Sequence, residues 1–328
     1  MMCLSLEELQ AKFNKKFYNS SKNIYSSFIT FAGSRKLQFS RAKQFFSTIQ
    51  RFALSEVRIA EVGAGPGKHT ILFLDELKKL GFDGKVHIDA YDFSETCLRL
   101  FEKSVSKNVN SINHILCDVG KGRNFFRDHY ELITFHEMLD DVPARVFILK
   151  DCSLYEVLYT EDLLPVISNE SLHSNSLDES SIPQHLAGYH VVFNLLGCKA
   201  LEHACNSLSY HGYCEVTDYG FTYDTITVPA ELWNINVVRE INSHITVDLN
   251  FSHIAHTLKH RGVSCELLPQ KAFCEKYVGE KLYFYDSSQK LDYYTVSELL
   301  ARKRMSKMYN KGIIEADNYW YLKLWKEK

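Results

Sequence analysis

Three clusters of residues in this chain have types and spacings that can do chemistry. The first is Glu61-Val62-Gly63-Ala64-Gly65-Pro66-Gly67, three alternating glycines behind an acid. Glycine tolerates positive φ and lets the backbone approach a ligand closely, so the run reads as a binding loop. A dinucleotide fingerprint would need its third glycine at position 68, where Lys68 stands. The second cluster is His136-Glu137-Met138-Leu139-Asp140-Asp141-Val142-Pro143. Glu137 and Asp140 are three apart and share a face if the segment is helical; Asp141 points elsewhere on such a turn. Paired carboxylates can orient a cationic group or accept a proton, or Glu137 can be an N-terminal helix charge facing the macrodipole. His136 can act as a general base, its ordinary pKa lying near neutrality, or it can donate to a backbone carbonyl at a strand end. The third cluster is Asp218-Tyr219, which can close a pocket or be a turn acid beside a packed aromatic. A metal site is not expected. His253, His256 and His260 have ligand-like spacing, yet they join no cysteine cluster and enclose no glutamate.

These clusters need elements that bring them to one edge. Residues 57–62 form a β-branched run that ends in the glycine loop, and 71–80 carries helical apolar spacing. Residues 86–91, 114–117 and 132–135 read as further strands, with a helix over 95–105. Asp92 then ends the second strand, Asp118 follows the third and Glu137 follows the fourth. A strand over 213–217 ends at Asp218. A helix over 251–259, a strand over 264–268 and a last strand over 319–325 follow, the last expected antiparallel beside 264–268. Strands alternating with helices predict a parallel α/β sheet, whose carboxyl edge is where ligands bind. There Asp92 can accept hydrogen bonds from ribose hydroxyls, or it can cap the helix that begins near Ser94. Residues 146–150 and 154–159 look extended. Residues 168–182 hold six serines and read as a polar insertion, and 186–208 reads as a long helix. Four regions result: a helical 1–55, the first half-sheet over 56–160, an inserted helical cap over 161–210, and 211–328.

Composition narrows the classes. A chain 45% hydrophobic is globular rather than disordered. It contains no apolar run of membrane-spanning length. A formal charge of −2 gives no global field for nucleic acid or anionic lipid, and neither is expected as a partner. The nine cysteines include no C-x-x-C pair and read as reduced thiols of a cytoplasmic protein. Charge is nevertheless uneven. Residues 9–55 carry nine Lys and Arg, no acid and ten aromatics. They read as packed helices with their cations in water, as a substrate arm, or as a targeting segment for the mitochondrial matrix.

The G-x-G-x-G spacing behind Glu61 resembles motif I of class I S-adenosylmethionine (SAM) methyltransferases. The 136–143 cluster resembles the N-E-x-x-D-x-x-P motif of the MidA-like methyltransferases, which include a mitochondrial protein arginine methyltransferase needed for respiratory complex I assembly. Leu154 to Leu158, the strand end Thr217-Asp218-Tyr219-Gly220 and the segment from Ile245 to Ile254 resemble further stretches of that family in the same order. The resemblance covers residues 57–275, about two-thirds of the chain. It departs at His136, where the family has asparagine; at Asp248-Leu249-Asn250-Phe251, where it has H-V-D-F; and upstream of the loop, where its G-D-F-x-T segment is missing.

The resemblance implies a Rossmann-like fold with a seven-stranded, mostly parallel sheet, and SAM as cofactor. It implies that Glu61, Gly63, Ala64, Gly65, Gly67, Asp92, Phe93, Asp118 and Val119 hold the cofactor, with Asp118 at the adenine amino group. It implies that Glu137, Asp140, His136, Asp218 and Tyr219 form the acceptor site. A guanidinium acceptor is planar and protonated, and paired carboxylates orient it bidentately. The expected substrate is an arginine of a protein or peptide. A small-molecule acceptor and a non-catalytic assembly factor are the alternatives. The [DN]-P-P-[YF] motif of amino-methylating DNA enzymes is absent. A monomer and a homodimer both fit the sequence.

Overall fold

The computed structural model describes residues 3–20, 31–127, 129–171, 182–241, 244–287, 290–301 and 318–327. Its centre is a sheet with seven strands in the order Ser264–Pro269, Tyr319–Trp325, Leu208–Phe221, Tyr130–His136, Glu56–Val62, Lys85–Asp92, Ser111–Leu116. The last five pair in parallel. Tyr319–Trp325 runs antiparallel to both of its neighbours. An eighth strand, Leu249–Asn250, pairs with the end of Leu208–Phe221, so the expected count of seven is one short. Two residues carry too little alternation to be read as a strand.

The inner strands are buried on both faces. Ile59, Ala60, Val62, Ile88, Ala90, Leu132, Ile133 and Phe135 are all nearly inaccessible, as a parallel sheet covered by helices requires. Helix Lys68–Lys79 presents Phe73, Leu74 and Leu77 to one core. Helix Glu95–Val105 adds Leu98, Phe101 and Val105, its start capped by Ser94, whose hydroxyl accepts from the Cys97 N–H. Helix Arg35–Phe52 lies over the same face. It is tied down by Arg41, which is 1% exposed. The Arg41 guanidinium donates to Glu215 at 2.7 Å, Gln38 at 2.6 Å and Thr134 at 2.7 Å. The basic N-terminal stretch therefore does not keep all of its cations in water. Removing one member of such a buried pair typically costs about 3–5 kcal/mol, because the other charge is left uncompensated.

Among the described residues of 161–210, helix Leu195–Asn206 is preceded by two strands, not by the expected helical cap. A second, antiparallel sheet of five strands occupies this part of the fold: Leu4–Ser5, Arg145–Lys150, Ser153–Tyr159, Pro165–Ser171 and His190–Phe193. The helix expected over 186–208 begins only at Leu195. Gly188, at φ +85°, breaks the chain, and the β-branched run at 191–192 pairs with Arg145–Lys150. Residues 172–181 of the serine-rich segment and 21–30 of the basic segment lie outside the described residues. Helix Leu6–Ser20 packs Leu6 and Leu9 into the core of this second sheet. Two antiparallel hairpins complete the architecture, Val238–Ile241 with His244–Val247 and Tyr283–Ser287 with Lys290–Tyr294. Among the described residues no helix is long and apolar enough to cross a membrane.

Candidate functional site

At the carboxyl edge of the sheet the glycine loop turns with Gly63, Gly65 and Gly67 all at positive φ. The N–H groups of Gly63 and Ala64 donate to the Tyr91 carbonyl at 2.9 and 3.1 Å, which fixes the loop to the second strand. A Cβ on Gly63 would stand 2.8 Å from the Met138 Cβ, so this glycine is what lets the loop and the acid cluster meet. Gly67 begins helix Lys68–Lys79 with no side-chain cap. The first-turn N–H groups are thereby left for an anionic ligand group, which a helix N-terminus favours.

Asp92 is 8% exposed. Its carboxylate accepts from the Gly65 N–H at 3.0 Å and the Ser94 N–H at 2.8 Å. Burial raises its pKa, against these hydrogen bonds. Ser94, not Asp92, caps the helix. The Phe93 N–H and the Cys97 thiol also bond to it. Phe93 is exposed beside it, with the Tyr18 ring edge-on at 5.2 Å. Asp118 is exposed and accepts from the Gly120 N–H at 3.1 Å, whereas Val119 is buried in the core.

Glu61 faces inward. It is 2% exposed, pairs with His69 and accepts from Thr70 at 3.2 Å. Burial pushes its carboxyl up to about 8, against the pull of Arg41 and Thr70. Its contacts run to the helix that follows the loop, so it braces the loop from behind.

The acid cluster is not a helical face. Glu137 has φ +47°, and only Leu139–Asp141 form a short 3-10 turn. The Glu137 N–H donates to the Thr217 carbonyl at 2.8 Å and so extends the sheet ladder. The Met138 and Leu139 N–H groups then donate to Asp218 at 3.2 and 3.0 Å. Fully buried Asp218 thus holds the turn that presents the other acids, instead of lining a pocket. Burial, then Asp140 and Glu137, drive its pKa well up. Glu137 itself accepts from the Phe31 N–H at 2.8 Å. Asp140 is 6% exposed and accepts from the Tyr219 and Thr246 hydroxyls, both at 2.6 Å. Its Oδ1 has no hydrogen-bond partner among the described residues. Asp141 accepts from Tyr18 and lies 3.4 Å from His244, and burial followed by Asp140 drives its pKa well up. His136 is bonded through Nδ1 to Thr217, while its buried Nε2 is unpartnered and 4.0 Å from Glu137 Oε1. Burial, then His69 and Arg41, hold His136 well below the usual histidine range, so it is neutral at pH 7.

The structure therefore gathers Glu137, Asp140, Asp218, Tyr219 and His136 around one turn, with Gly63 against it. Thr217, Thr246, Tyr18, His244 and Arg239 were missed in the sequence. Thr217 adjoins Asp218 and Thr246 lies in the stretch from Ile245 to Ile254, so both had a local signal; Tyr18 and Arg239 had none. Arg239 lies over the Tyr219 ring, with 4.9 Å to its centroid, and pairs with Asp248. Among the described residues no group of three or more His, Cys, Asp or Glu can hold a metal ion.

Compared by sequence, the chain matches no protein-family model and no curated protein. Its fold is similar to solved structures. A crystal structure of an uncharacterized COG1565 superfamily protein from Burkholderia thailandensis has a TM-score of 0.65 and 14% identity, covering 99% of this chain and 87% of that one. A COG1565 superfamily member from the same organism, bound to S-adenosyl-homocysteine, has a TM-score of 0.65 and 13% identity, covering 99% and 88%. The chain shares the fold of these proteins.

Proposed function

We propose that this chain is a SAM-dependent methyltransferase whose acceptor is an arginine side chain of a protein or peptide. One observation carries the acceptor. Asp140 is buried with an unpartnered oxygen, beside Glu137, Asp141 and Asp218, and Arg239, which attracts it, is itself paired with Asp248. A buried carboxylate oxygen with no donor favours a ligand that brings one, and a cationic donor also offsets its charge. A guanidinium brings a positive charge and a planar fork of donors.

The residues of the loop fit the cofactor. Gly63, Gly65 and Gly67 admit it, the uncapped helix start suits its carboxylate, and Asp92 is an acid at the strand end, where a carboxylate can accept from ribose hydroxyls. Phe93 offers a ring face, and Asp118 an acceptor for the adenine amino group. When bound, SAM supplies an electrophilic methyl group to a nitrogen aligned behind it. Glu137 and Asp140 orient the guanidinium, and such positioning can supply roughly 7–11 kcal/mol of a barrier. The proton lost by the methylated nitrogen passes to the Glu137 carboxylate, with neutral His136 Nε2 as the next acceptor at 4.0 Å.

A second reading rests on the Phe31–Glu137 hydrogen bond, which covers an acid with the chain's own N-terminal segment. It is a protein that keeps the fold as a binding partner. Calorimetry with SAM on wild type and Asp92→Ala separates the two, with thermal unfolding as the folding control. Binding that the substitution weakens, followed by methylated arginine in a peptide library by mass spectrometry, supports the enzyme. A folded wild type that binds no SAM refutes it and favours the second reading.

A further inference from the structure

At the amino end of the parallel strands, opposite the glycine loop, lies a cavity of 520 Å³. Ligand pockets commonly span about 300–1,000 Å³. Its walls come from the last turns of helix Arg35–Phe52, the start of strand Leu208–Phe221, the strand Tyr319–Trp325 with Lys326 beyond it, Glu266 of strand Ser264–Pro269 and Tyr277 of helix Gln270–Val278. Three cations line it: Arg51, Lys323 and Lys326. Among the described residues none of them forms an ion pair. Lys326 donates to the neutral Asn206. Lys323 stands in register between Glu215 and Glu266, which attract it while Glu215 also pairs with Arg41 and Glu266 with Lys276 at 3.1 Å.

Aromatic faces adjoin these charges. The Phe52 and His211 rings stack at 3.5 Å with 12° between planes. The Lys323 ammonium lies 4.5 Å from the Tyr213 centroid and 5.9 Å from that of Trp325. Tyr213 is 2% exposed. Gln44 beside it is committed to Tyr321 and to Tyr277. An excess of cations over acids favours an anion, and ring faces next to cations favour a planar π-system carrying that anion. One acid, Glu266, also lines the cavity, so three cations face one acid, the reverse of the acid cluster at the other edge.

We propose that this cavity binds a nucleoside monophosphate, its phosphate among Arg51, Lys323 and Lys326 and its base against the Phe52, His211 and Trp325 rings. The site is independent of the methyltransferase reading and needs no residue of it. The test is calorimetric titration of the full chain with uridine monophosphate, uridine and inorganic phosphate. Uridine monophosphate is expected to bind, and each fragment at least about tenfold more weakly, because each fills half of the site. Lys323→Met and Arg51→Gln are each expected to weaken binding about tenfold, as loss of a charge-assisted contact does. Arg51 is exposed, so Arg51→Gln tests the phosphate contact even if Lys323→Met fails to fold. Four results overturn the proposal: no heat at millimolar nucleotide, inorganic phosphate binding as tightly as the nucleotide, binding unchanged in Arg51→Gln, or displacement of the nucleotide by S-adenosylhomocysteine.

Discussion

Replacing Asp140 by asparagine separates the chemistry of the acid cluster from its architecture. In the folded chain Asp140 Oδ2 takes two hydroxyl donors, Tyr219 and Thr246, and Oδ1 is unpartnered. An asparagine carbonyl can accept the same two hydroxyls, so the turn loses no donor partner. What it loses is a charge. That charge is a cause of the raised pKa values of Asp141 and Asp218, second to burial in both. A carboxyl whose folded pKa is raised contributes full stability only below its unfolded value, about 4, and loses it as pH rises. Asp140→Asn lowers both pKa values, so at pH 7 the variant is expected to be at least as stable as wild type. Catalysis moves the other way. A hydrogen bond to a charged group is worth about 1.5–3 kcal/mol, so peptide turnover should fall roughly 10- to 150-fold. SAM affinity should stay unchanged, because the Asp140 side chain bonds to Tyr219 and Thr246 and not to the glycine loop. The assays are thermal unfolding, SAM calorimetry and radiolabelled methyl transfer to an arginine peptide. Unchanged turnover would remove Asp140 from the acceptor site. A large fall in melting temperature would make its role structural, with the unpartnered oxygen no longer a mark of an acceptor site.

Two further outcomes follow from particular distances. Gly63→Ala forces an L side chain into φ +71° and a Cβ to 2.8 Å from Met138; strain of this kind costs about 1–3 kcal/mol, and SAM affinity should drop with it, measured by calorimetry beside a denaturant curve. Normal affinity would mean that the loop does not approach the cofactor. Glu61→Gln tests the brace behind the loop. With the Glu61 carboxyl held at about 8, the folded chain keeps a proton that the unfolded chain releases, so stability should decline as pH rises from about 4 to 8, by up to about 1.4 kcal/mol per pH unit. Denaturant midpoints across that range should decline less steeply in the variant, and an identical slope would mean that Glu61 is ionised in the fold.

The local rules of the chain settled a good part of this molecule. Alternating strand and helix patterns, a glycine triplet and acids at strand ends were enough to find the central strands and to put Asp92 and Glu137 at one edge, because side-chain periodicity and glycine freedom act within a few residues. Tertiary structure decided what those rules do not reach. The five-stranded sheet draws on Leu4–Ser5 and on residues 145–193, and long-range pairing overrode the helical spacing that 186–208 carries on its own. Glu61 turned inward and Asp218 became a support, because buried carboxylates take whichever donors the packed chain brings, and here these were His69, Thr70 and the backbone at Met138 and Leu139. Arg41 went into the core because Glu215, 174 residues away, was there to pair with it. Position along the chain sets which residues can reach the edge of the sheet. Desolvation, which depends on every neighbour at once, sets which of them keep a lone pair free for a ligand.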